Sequence, residues 1–295
     1  MSLFEYDFMI RALIGALVIG LAAPALGIYL VQRRLSLIGD GIGHVALTGV
    51  GVGLLLHHSP VISAVIVSAA GAVGIELIRQ RGRTSGDLAL ALLFYGGIAG
   101  GVVLVGLSDD SSNANLIQYL FGSLITTSPQ DLVVIIVLGL AVLVAMTVFR
   151  PALFAVCNDE EYARVSGLPV RTLNILMAVT TAVTVTIAMR TVGLLLVSAL
   201  MVVPVAAAQQ VTRGFRSTMA LAMVIGLGAA GTGVAVSAGI DTAPGATTVL
   251  LALGAFVAIS LGGGLVRALR RRAQQPREVA HQPREVEPPD VVLQS

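Results

Sequence analysis

The chain has 295 residues, of which only 12% are charged and 56% are hydrophobic, and its mean hydropathy is +0.92. A water-soluble protein normally has about a quarter of its residues charged, because its surface needs polar atoms, so this composition argues against a soluble globular fold. The net charge of +2 is small and unevenly spread, which argues against a nucleic-acid-binding protein.

Apolar runs of about 20 residues, the length that crosses about 30 Å of hydrocarbon as α-helix, recur along the chain. The nine candidates are residues 8–31, 36–56, 60–78, 86–107, 130–149, 171–189, 191–208, 217–240 and 245–266. They predict an all-α fold, a polytopic transmembrane helical bundle with eight or nine spans. The count depends on the closely spaced region 171–208 and on residues 116–127, a run too short to span that suits a re-entrant or interfacial position.

Composition changes near the C-terminus, and this change predicts the domain boundary. Residues 1–272 form the predicted transmembrane domain. Residues 273–295 contain the unit QPREV twice, at 275–279 and 282–286, followed by two prolines. Proline and alternating charge oppose a packed core, so we expect residues 273–295 to be a disordered tail.

Arginine placement predicts the orientation in the membrane. Basic clusters fall in alternate connections: Arg33 and Arg34; Arg79, Arg81 and Arg83; Arg150, Arg164 and Arg171; Arg213 and Arg216; Arg267, Arg270, Arg271 and Arg272. The connections between them contain histidine and aspartate but only one basic residue, Arg190. Because basic loops stay in the cytoplasm, we expect a multi-pass cell-membrane protein with a cytoplasmic C-terminus. Nine spans would leave the N-terminus outside.

Lysine is absent, and all 18 basic residues are arginine. The phosphate-binding loop of ATPases requires a lysine, so ATP hydrolysis would have to come from another polypeptide. The single cysteine, Cys157, excludes an intrachain disulfide framework and a cysteine-cluster metal site.

The main chemical signal is Leu-Ile-Gly-Asp-Gly-Ile-Gly-His at residues 37–44, where Asp40 and His44 lie inside an apolar run. A spacing of four places both side chains on one face of a helix. A carboxylate in hydrocarbon is costly and must face protein or water. Carboxylate and imidazole are suitable ligands for Zn²⁺, Mn²⁺ or Fe²⁺. A structural Asp–His hydrogen bond and a proton relay fit the same spacing.

Residues 157–169 form the second signal. Asp159, Glu160 and Glu161 favour a helix N-terminus, Gly167 can end the helix and Pro169 prevents its continuation. The pattern predicts a short helix on the cytoplasmic side. It suits either docking of a soluble partner or an ordinary connection between spans.

Two adjacent histidines, His57 and His58, precede Pro60 at the predicted outer end of the second span. They are candidates for outer metal capture. Exposed loop histidines without a ligand fit the sequence as well, since metal binding is only one role of histidine.

Glycines four residues apart predict close helix packing. The pairs are Gly39 and Gly43, Gly49 and Gly53, Gly96 and Gly100, and Gly97 and Gly101.

Five blocks resemble the ZnuB/MntB-type permeases, which are membrane subunits of ABC importers for zinc, manganese and ferrous iron. The blocks are Arg33-Arg34-Leu-Ser-Leu-Ile-Gly-Asp-Gly-Ile-Gly-His-Val-Ala-Leu, Tyr119-Leu-Phe-Gly-Ser-Leu, Asp159-Glu-Glu-Tyr-Ala-Arg-Val-Ser-Gly-Leu-Pro-Val-Arg, residues 192–208 and Pro244-Gly-Ala-Thr. They occur in the family's order and extend the resemblance over about residues 8–266. One departure is Gly41-Ile-Gly, where many relatives have Ala-Leu-Ser.

The resemblance implies an ABC-importer permease fold that works as a homodimer with two copies of a separate ATPase. It implies delivery of the metal by an extracytoplasmic binding protein, and no permanently bound cofactor or enzymatic activity of this chain. Asp40 and His44 would line the metal path. A coupling helix would contain Asp159, Glu160, Glu161, Arg164 and Gly167 and would dock on the ATPase.

Two other transporter classes compete with this interpretation. An ion-coupled secondary transporter would use Asp40 and His44 as a proton relay. A permease for a larger metal chelate, such as an iron–siderophore or cobalamin, would share the helical plan but need a wide pathway and no ligand pair.

Overall fold

A computed structural model describes residues 7–80, 86–108, 119–122, 128–240 and 242–278. Its helices are α1 (Asp7–Gln32), α2 (Ile38–Leu55), α3 (Pro60–Gln80), α4 (Gly86–Leu107), α5 (Pro129–Val148), α6 (Arg150–Asn158), α7 (Glu160–Val165), α8 (Val170–Thr191), α9 (Leu194–Gln209), α10 (Phe215–Ile240) and α11 (Pro244–Glu278). No β-strand occurs in the described ranges. The prediction of an all-α bundle is confirmed.

Helices α1 and α8 form the centre of the bundle. Each contacts at least four other helices, and most of each apolar window is buried inside the protein. Helices α4, α5 and α11 lie at the periphery, where less than a quarter of each apolar window is buried inside the protein. Such exposure suits helices that face lipid, since hydrocarbon solvates apolar side chains.

Helix α2 is packed closely on several sides through glycines. A Cβ atom on Gly49 or Gly53 would lie 2.6 Å or 2.8 Å from the backbone of α3. On another side, a Cβ atom on Gly39 would lie 2.8 Å from the hydroxyl of Ser198 in α9. Gly97 of α4 packs directly on the backbone of α2 at His44. The glycine spacing therefore predicted close packing correctly, with the exception of Gly96, which has no neighbour within 4 Å.

Eight helices are long and apolar enough to span a bilayer, whereas α9 is shorter. Two contacts show which helix ends lie together. The Tyr29 hydroxyl donates to the Met146 carbonyl, and Phe215 packs on Tyr29 with ring centroids 5.2 Å apart, so α1 ends, α5 ends and α10 begins on one side of the bundle. We call it the α7 side, because α7 lies there between α6 and α8. Helix α8 begins on this side and leaves it.

Helix α9 must therefore return the chain to the α7 side. Its 16 residues span about 24 Å, and Gly193 makes the turn from α8 at φ +90°, a value that favours glycine. Within the described ranges, nine helices thus cross the bundle, and one of them is a short helix that is largely buried among its neighbours. The helix runs through Pro204 without a break.

Two sequence predictions fall partly outside the described residues. Of the run 116–127, only residues 119–122 are described. Helix α11 continues to Glu278, six residues beyond the predicted domain boundary at residue 272, and residues 279–295 lie outside the described ranges. Both the domain boundary and the disordered tail stay predictions.

The packing of α4 on α2 can be tested at Gly97. A Cβ atom there would lie 2.6 Å from the His44 carbonyl carbon and the Val45 nitrogen, which are backbone atoms that cannot turn away. We expect Gly97→Ala to lower the free energy of unfolding in detergent by about 1–3 kcal/mol. Gly96→Ala is the matched control and should be close to neutral. Equal stability of the two variants would contradict this packing.

Candidate functional site

Asp40 lies in the first turn of α2, where the positive end of the helix dipole favours a carboxylate. The chain reaches this position through a tight turn after α1, in which Arg34 has φ +59°. The side chain is partly exposed to a groove of about 280 Å³, lined by Asp40 together with Leu37, Leu90 and Tyr95 and two further residues of α4. Asp40 therefore has access to solvent or to a partner from one side of the bundle.

His44 follows one turn later and is only 7% exposed. Its ring contacts Phe94 of α4 edge-on, with centroids 4.5 Å apart. Its Nδ1 atom is buried and has no hydrogen-bond partner among the described residues. Since buried polar atoms are nearly always paired, this imidazole nitrogen is a candidate for binding a ligand. A structural Asp–His hydrogen bond, one of the alternatives from the sequence, does not involve this nitrogen.

The position of α4 determines the shape of the site. The Thr48 hydroxyl donates to the Gly97 carbonyl at 2.8 Å, which holds α4 against α2. This contact places Phe94 beside His44 and leaves Tyr95 at the rim of the groove, 69% exposed. Among the described residues, no three His, Cys, Asp or Glu side chains lie close enough together to hold a metal ion. One chain therefore offers the Asp40/His44 pair, which is too few ligands for a closed site.

The predicted short helix is α7. Its N-cap residue, Asp159, accepts a hydrogen bond from the Tyr162 nitrogen at 2.9 Å. Gly167 follows the helix at φ +82°, which explains why the sequence requires glycine there. The predicted helix and its stop at Gly167 are confirmed as structure, while their docking role stays a prediction.

An ion pair that the sequence did not reveal ties α7 to the bundle. Arg33 donates to Glu160 at 2.7 Å with one terminal nitrogen and to Asn174 of α8 at 2.7 Å with the other. The Arg33 side chain is only 8% exposed. In the sequence, Arg33 was only one of the basic residues that indicate the cytoplasmic side. Its neighbours in the sequence do not reveal that its partner, Glu160, lies 127 residues away. The network connects α1, α7 and α8 seven residues before Asp40.

Glu160 thus faces inward, as does the buried Ala163, whereas the other four residues of α7 face outward. Tyr162 and Val165 are 69% and 88% exposed, and Glu161 and Arg164 are also exposed. Arg164 lies 3.3 Å from Glu160 but its side chain remains 69% exposed. The outer surface of α7, defined by these four residues, is the part that is free to contact another protein.

Cys157, at the end of α6, does not act as a ready metal ligand. Burial raises the pKa of its thiol to about 11, with Arg33 opposing and Glu160 reinforcing the shift. Metals bind the thiolate, which is scarce at neutral pH for such a thiol. Its sulfur lies 3.9 Å from the Met177 sulfur, in a packing position.

The structure places His57 and His58 in an exposed turn after α2. His57 has φ +51°, and the Nδ1 atom of His58 lies 2.6 Å from the Leu56 carbonyl oxygen. Nδ1 of His58 is therefore occupied as a donor to the backbone, which leaves Nε2 for a ligand. The two histidines lie at the opposite end of α2 from Asp40, so they do not join the Asp40/His44 pair.

The Arg33 network gives a stability prediction. We expect Arg33→Gln to lower the free energy of unfolding by about 1–3 kcal/mol, because it leaves Glu160 and Asn174 without their charged partner. Arg164→Gln is the control and should cost little, since its side chain is mostly solvated. Denaturant unfolding in detergent measures both. A double-mutant cycle with Glu160→Gln that gave no coupling would contradict a role for this ion pair.

The chain was compared with known proteins. The sequence model of the ABC 3 transport family matches residues 5–263. The manganese transport system membrane protein MntC of Halalkalibacterium halodurans is 31% identical over 251 residues, which cover 85% of this chain and 86% of that protein. The high-affinity zinc uptake system membrane protein ZnuB of Haemophilus influenzae is 28% identical over 252 residues, 85% of this chain and 96% of that protein.

A solved structure shares the fold. The structure of PsaBC from Streptococcus pneumoniae in complex with Fab matches with a TM-score of 0.79 and 28% identity, over 88% of this chain and 92% of that chain.

Proposed function

Because the chain belongs to the ABC 3 transport family, we propose that it is the membrane-spanning permease subunit of an ABC importer for divalent metal ions. Zinc, manganese and ferrous iron are the candidate substrates, and relatives of this chain are described as manganese and zinc transport proteins. The observation that carries the proposal is the Asp40/His44 pair, with its buried unpaired nitrogen beside an open groove.

The incomplete ligand set points to a second copy of the chain. A two-fold axis beside the groove would bring two Asp–His pairs together and supply four ligands, the usual number for zinc. Leu37 and Tyr95 at the rim are strongly exposed, as residues that contact a second copy would be in the single chain. The metal ion would pass between the two copies. The four metal ligands would come together only when the two copies are aligned. A movement of one copy relative to the other would therefore release the ion.

The Arg33 network suggests how a motor could act on this site. Partner ATPase subunits would bind the outer surface of α7, since the chain has no lysine for a phosphate-binding loop of its own. Movement of α7 would pull on Glu160 and, through Arg33, on the turn that starts α2. Asp40 lies in the first turn of that helix. Binding and hydrolysis of ATP would thus alternate access to the ion from the two sides.

Orientation follows if the α7 side is cytoplasmic, as the arginine distribution favours. The C-terminus would then lie in the cytoplasm, because nine crossings that start outside end inside. An extracytoplasmic metal-binding protein would deliver the ion at the opposite side. His57 and His58 lie there, and Nε2 of His58 is placed to capture an ion transiently.

The rival transporters fit the structure less well. A groove bordered by Asp40, with His44 one turn away, suits a metal ion, whereas a permease for a siderophore or cobalamin would need no such ligand pair. A proton relay would use the same two residues, but it would not require an ATPase. Uptake that follows a proton gradient without ATP would favour that rival.

The proposed site can be tested by Asp40→Asn and His44→Ala. We expect each variant to lose at least about 90% of metal uptake, because one neutral or missing ligand in each copy removes two of four from the shared site. The measurement is uptake of radioactive or mass-resolved zinc, manganese and iron in a metal-depleted strain that also expresses the ATPase. Asp131→Asn, which neutralises a half-buried carboxylate in the capping box at the start of α5, should retain normal uptake. Normal uptake by both site variants, at equal protein levels in the membrane, would refute the assignment.

The docking surface can be tested separately. Glu161→Arg and Val165→Arg change only exposed side chains of α7, so we expect the chain to fold normally but to lose co-purification with the ATPase and ATP-driven uptake. Arg171→Glu is the control, because it changes an exposed side chain at the start of α8 and leaves α7 intact; it should retain co-purification and uptake. Undiminished co-purification of both α7 variants would place the ATPase elsewhere.

A further inference from the structure

A cavity of about 580 Å³ lies between α6 and α10 on the α7 side, away from Asp40 and His44. We call it the α6–α10 cavity; its walls include Arg150, Pro151, Phe154, Phe215, Arg216 and Ser217. Arg150 begins α6 directly after span α5, and Phe215 begins span α10. The cavity therefore lies at the level where the apolar spans meet the polar surface.

Its charge is entirely positive. Arg150 and Arg216 are the only charged residues that line it, and neither forms an ion pair or side-chain hydrogen bond within the part of the chain that the structure describes. Two unpaired guanidinium groups at one cavity favour an anion, and arginine binds phosphate oxygens in a bidentate geometry. The Ser217 hydroxyl, at the same wall, donates to the Gly214 carbonyl at 2.8 Å and retains acceptor capacity only.

The remaining wall is aromatic and rigid. The rings of Phe154 and Phe215 lie 4.9 Å apart, and Phe215 rests on Tyr29, whose hydroxyl is held by the Met146 carbonyl. Phe154 is nevertheless 38% exposed. A small soluble anion would gain nothing from such a surface, whereas an amphipathic anion would cover it.

An exposed apolar stripe of α5 ends at about the level of this cavity. Leu140, Val144 and Val148 are each more than half exposed and follow one another at helical spacing, and the helix ends two residues before Arg150. An acyl chain lying along this stripe would bring its headgroup to the level of Arg150. Basic pockets between helices at the membrane surface bind anionic lipid headgroups in this manner.

We propose that the α6–α10 cavity binds the phosphate headgroup of an anionic phospholipid, with Arg150 and Arg216 as the phosphate contacts. Phe154 and Phe215 form the apolar wall for the glycerol and upper acyl region. The bound lipid joins the α5–α6 corner to the start of α10. This site is separate from Asp40 and His44, so the lipid proposal does not depend on the proposed function in metal import.

The test uses the full-length chain purified in a neutral detergent. Native mass spectrometry measures binding of phosphatidylglycerol and of phosphatidylcholine with the same acyl chains. We expect phosphatidylglycerol to bind about tenfold more tightly, and the double variant Arg150→Gln/Arg216→Gln to abolish this preference while phosphatidylcholine binding is unchanged. Arg213→Gln, an exposed change three residues from Arg216 that does not line the cavity, should retain the preference.

Three outcomes would overturn the proposal. The first is a preference for phosphatidylglycerol that persists in the double variant. The second is complete displacement of the lipid by millimolar inorganic phosphate or glycerol 1-phosphate, which would indicate a site for a soluble anion. The third is equally tight binding of phosphatidylglycerol and phosphatidylcholine by the parent chain. If the glutamine variant does not fold, Arg150→Lys/Arg216→Lys replaces it; this variant should show a weaker preference than the parent chain, and an undiminished preference would overturn the proposal.

Discussion

The close packing of α2 is the constraint on which the rest of this structure depends. In hydrocarbon, burial of apolar surface does not drive helices together, so association relies on short-range contacts between backbones. Glycines supply these contacts where α2 meets α3, α4 and α9. The result is a helix held from several directions, in which His44 is buried within the protein and Asp40 borders the groove. Without such packing, an intramembrane carboxylate and imidazole would be too costly to retain.

A second constraint acts at the α7 side. Arg33 is nearly buried, and an isolated buried guanidinium would be strongly unfavourable, so Glu160 and Asn174 must remain in place beside it. This requirement fixes α7 relative to α1 and α8. It also separates the two functions of the acidic residues in α7. Glu160 holds the helix to the bundle, and Glu161 is left at the surface.

Each of the two proposed binding sites contains polar groups that have no protein partner within the described part of a single chain. The groove at Asp40 offers two ligands and an exposed rim, which is consistent with a second copy completing it. The α6–α10 cavity offers two unpaired arginines against an aromatic wall, which is consistent with a lipid completing it. Both lie at places where close helix packing ends and the protein surface begins.

The sequence alone determined membrane embedding, the all-α class, eight of the spans, the short helix after Cys157 and membership of the transporter family, which the comparison with known proteins confirmed. These properties depend on composition, on the length of the apolar runs and on local signals such as Gly167, all of which involve residues that are close together in the sequence. Only the tertiary structure decided that α9 is a short ninth crossing, that His44 has an unpaired nitrogen against Phe94, and that Glu160 is bound to Arg33 rather than exposed. Each of these depends on contacts between residues far apart in the chain, and a pattern of consecutive residues carries no information about which distant side chain will arrive beside it.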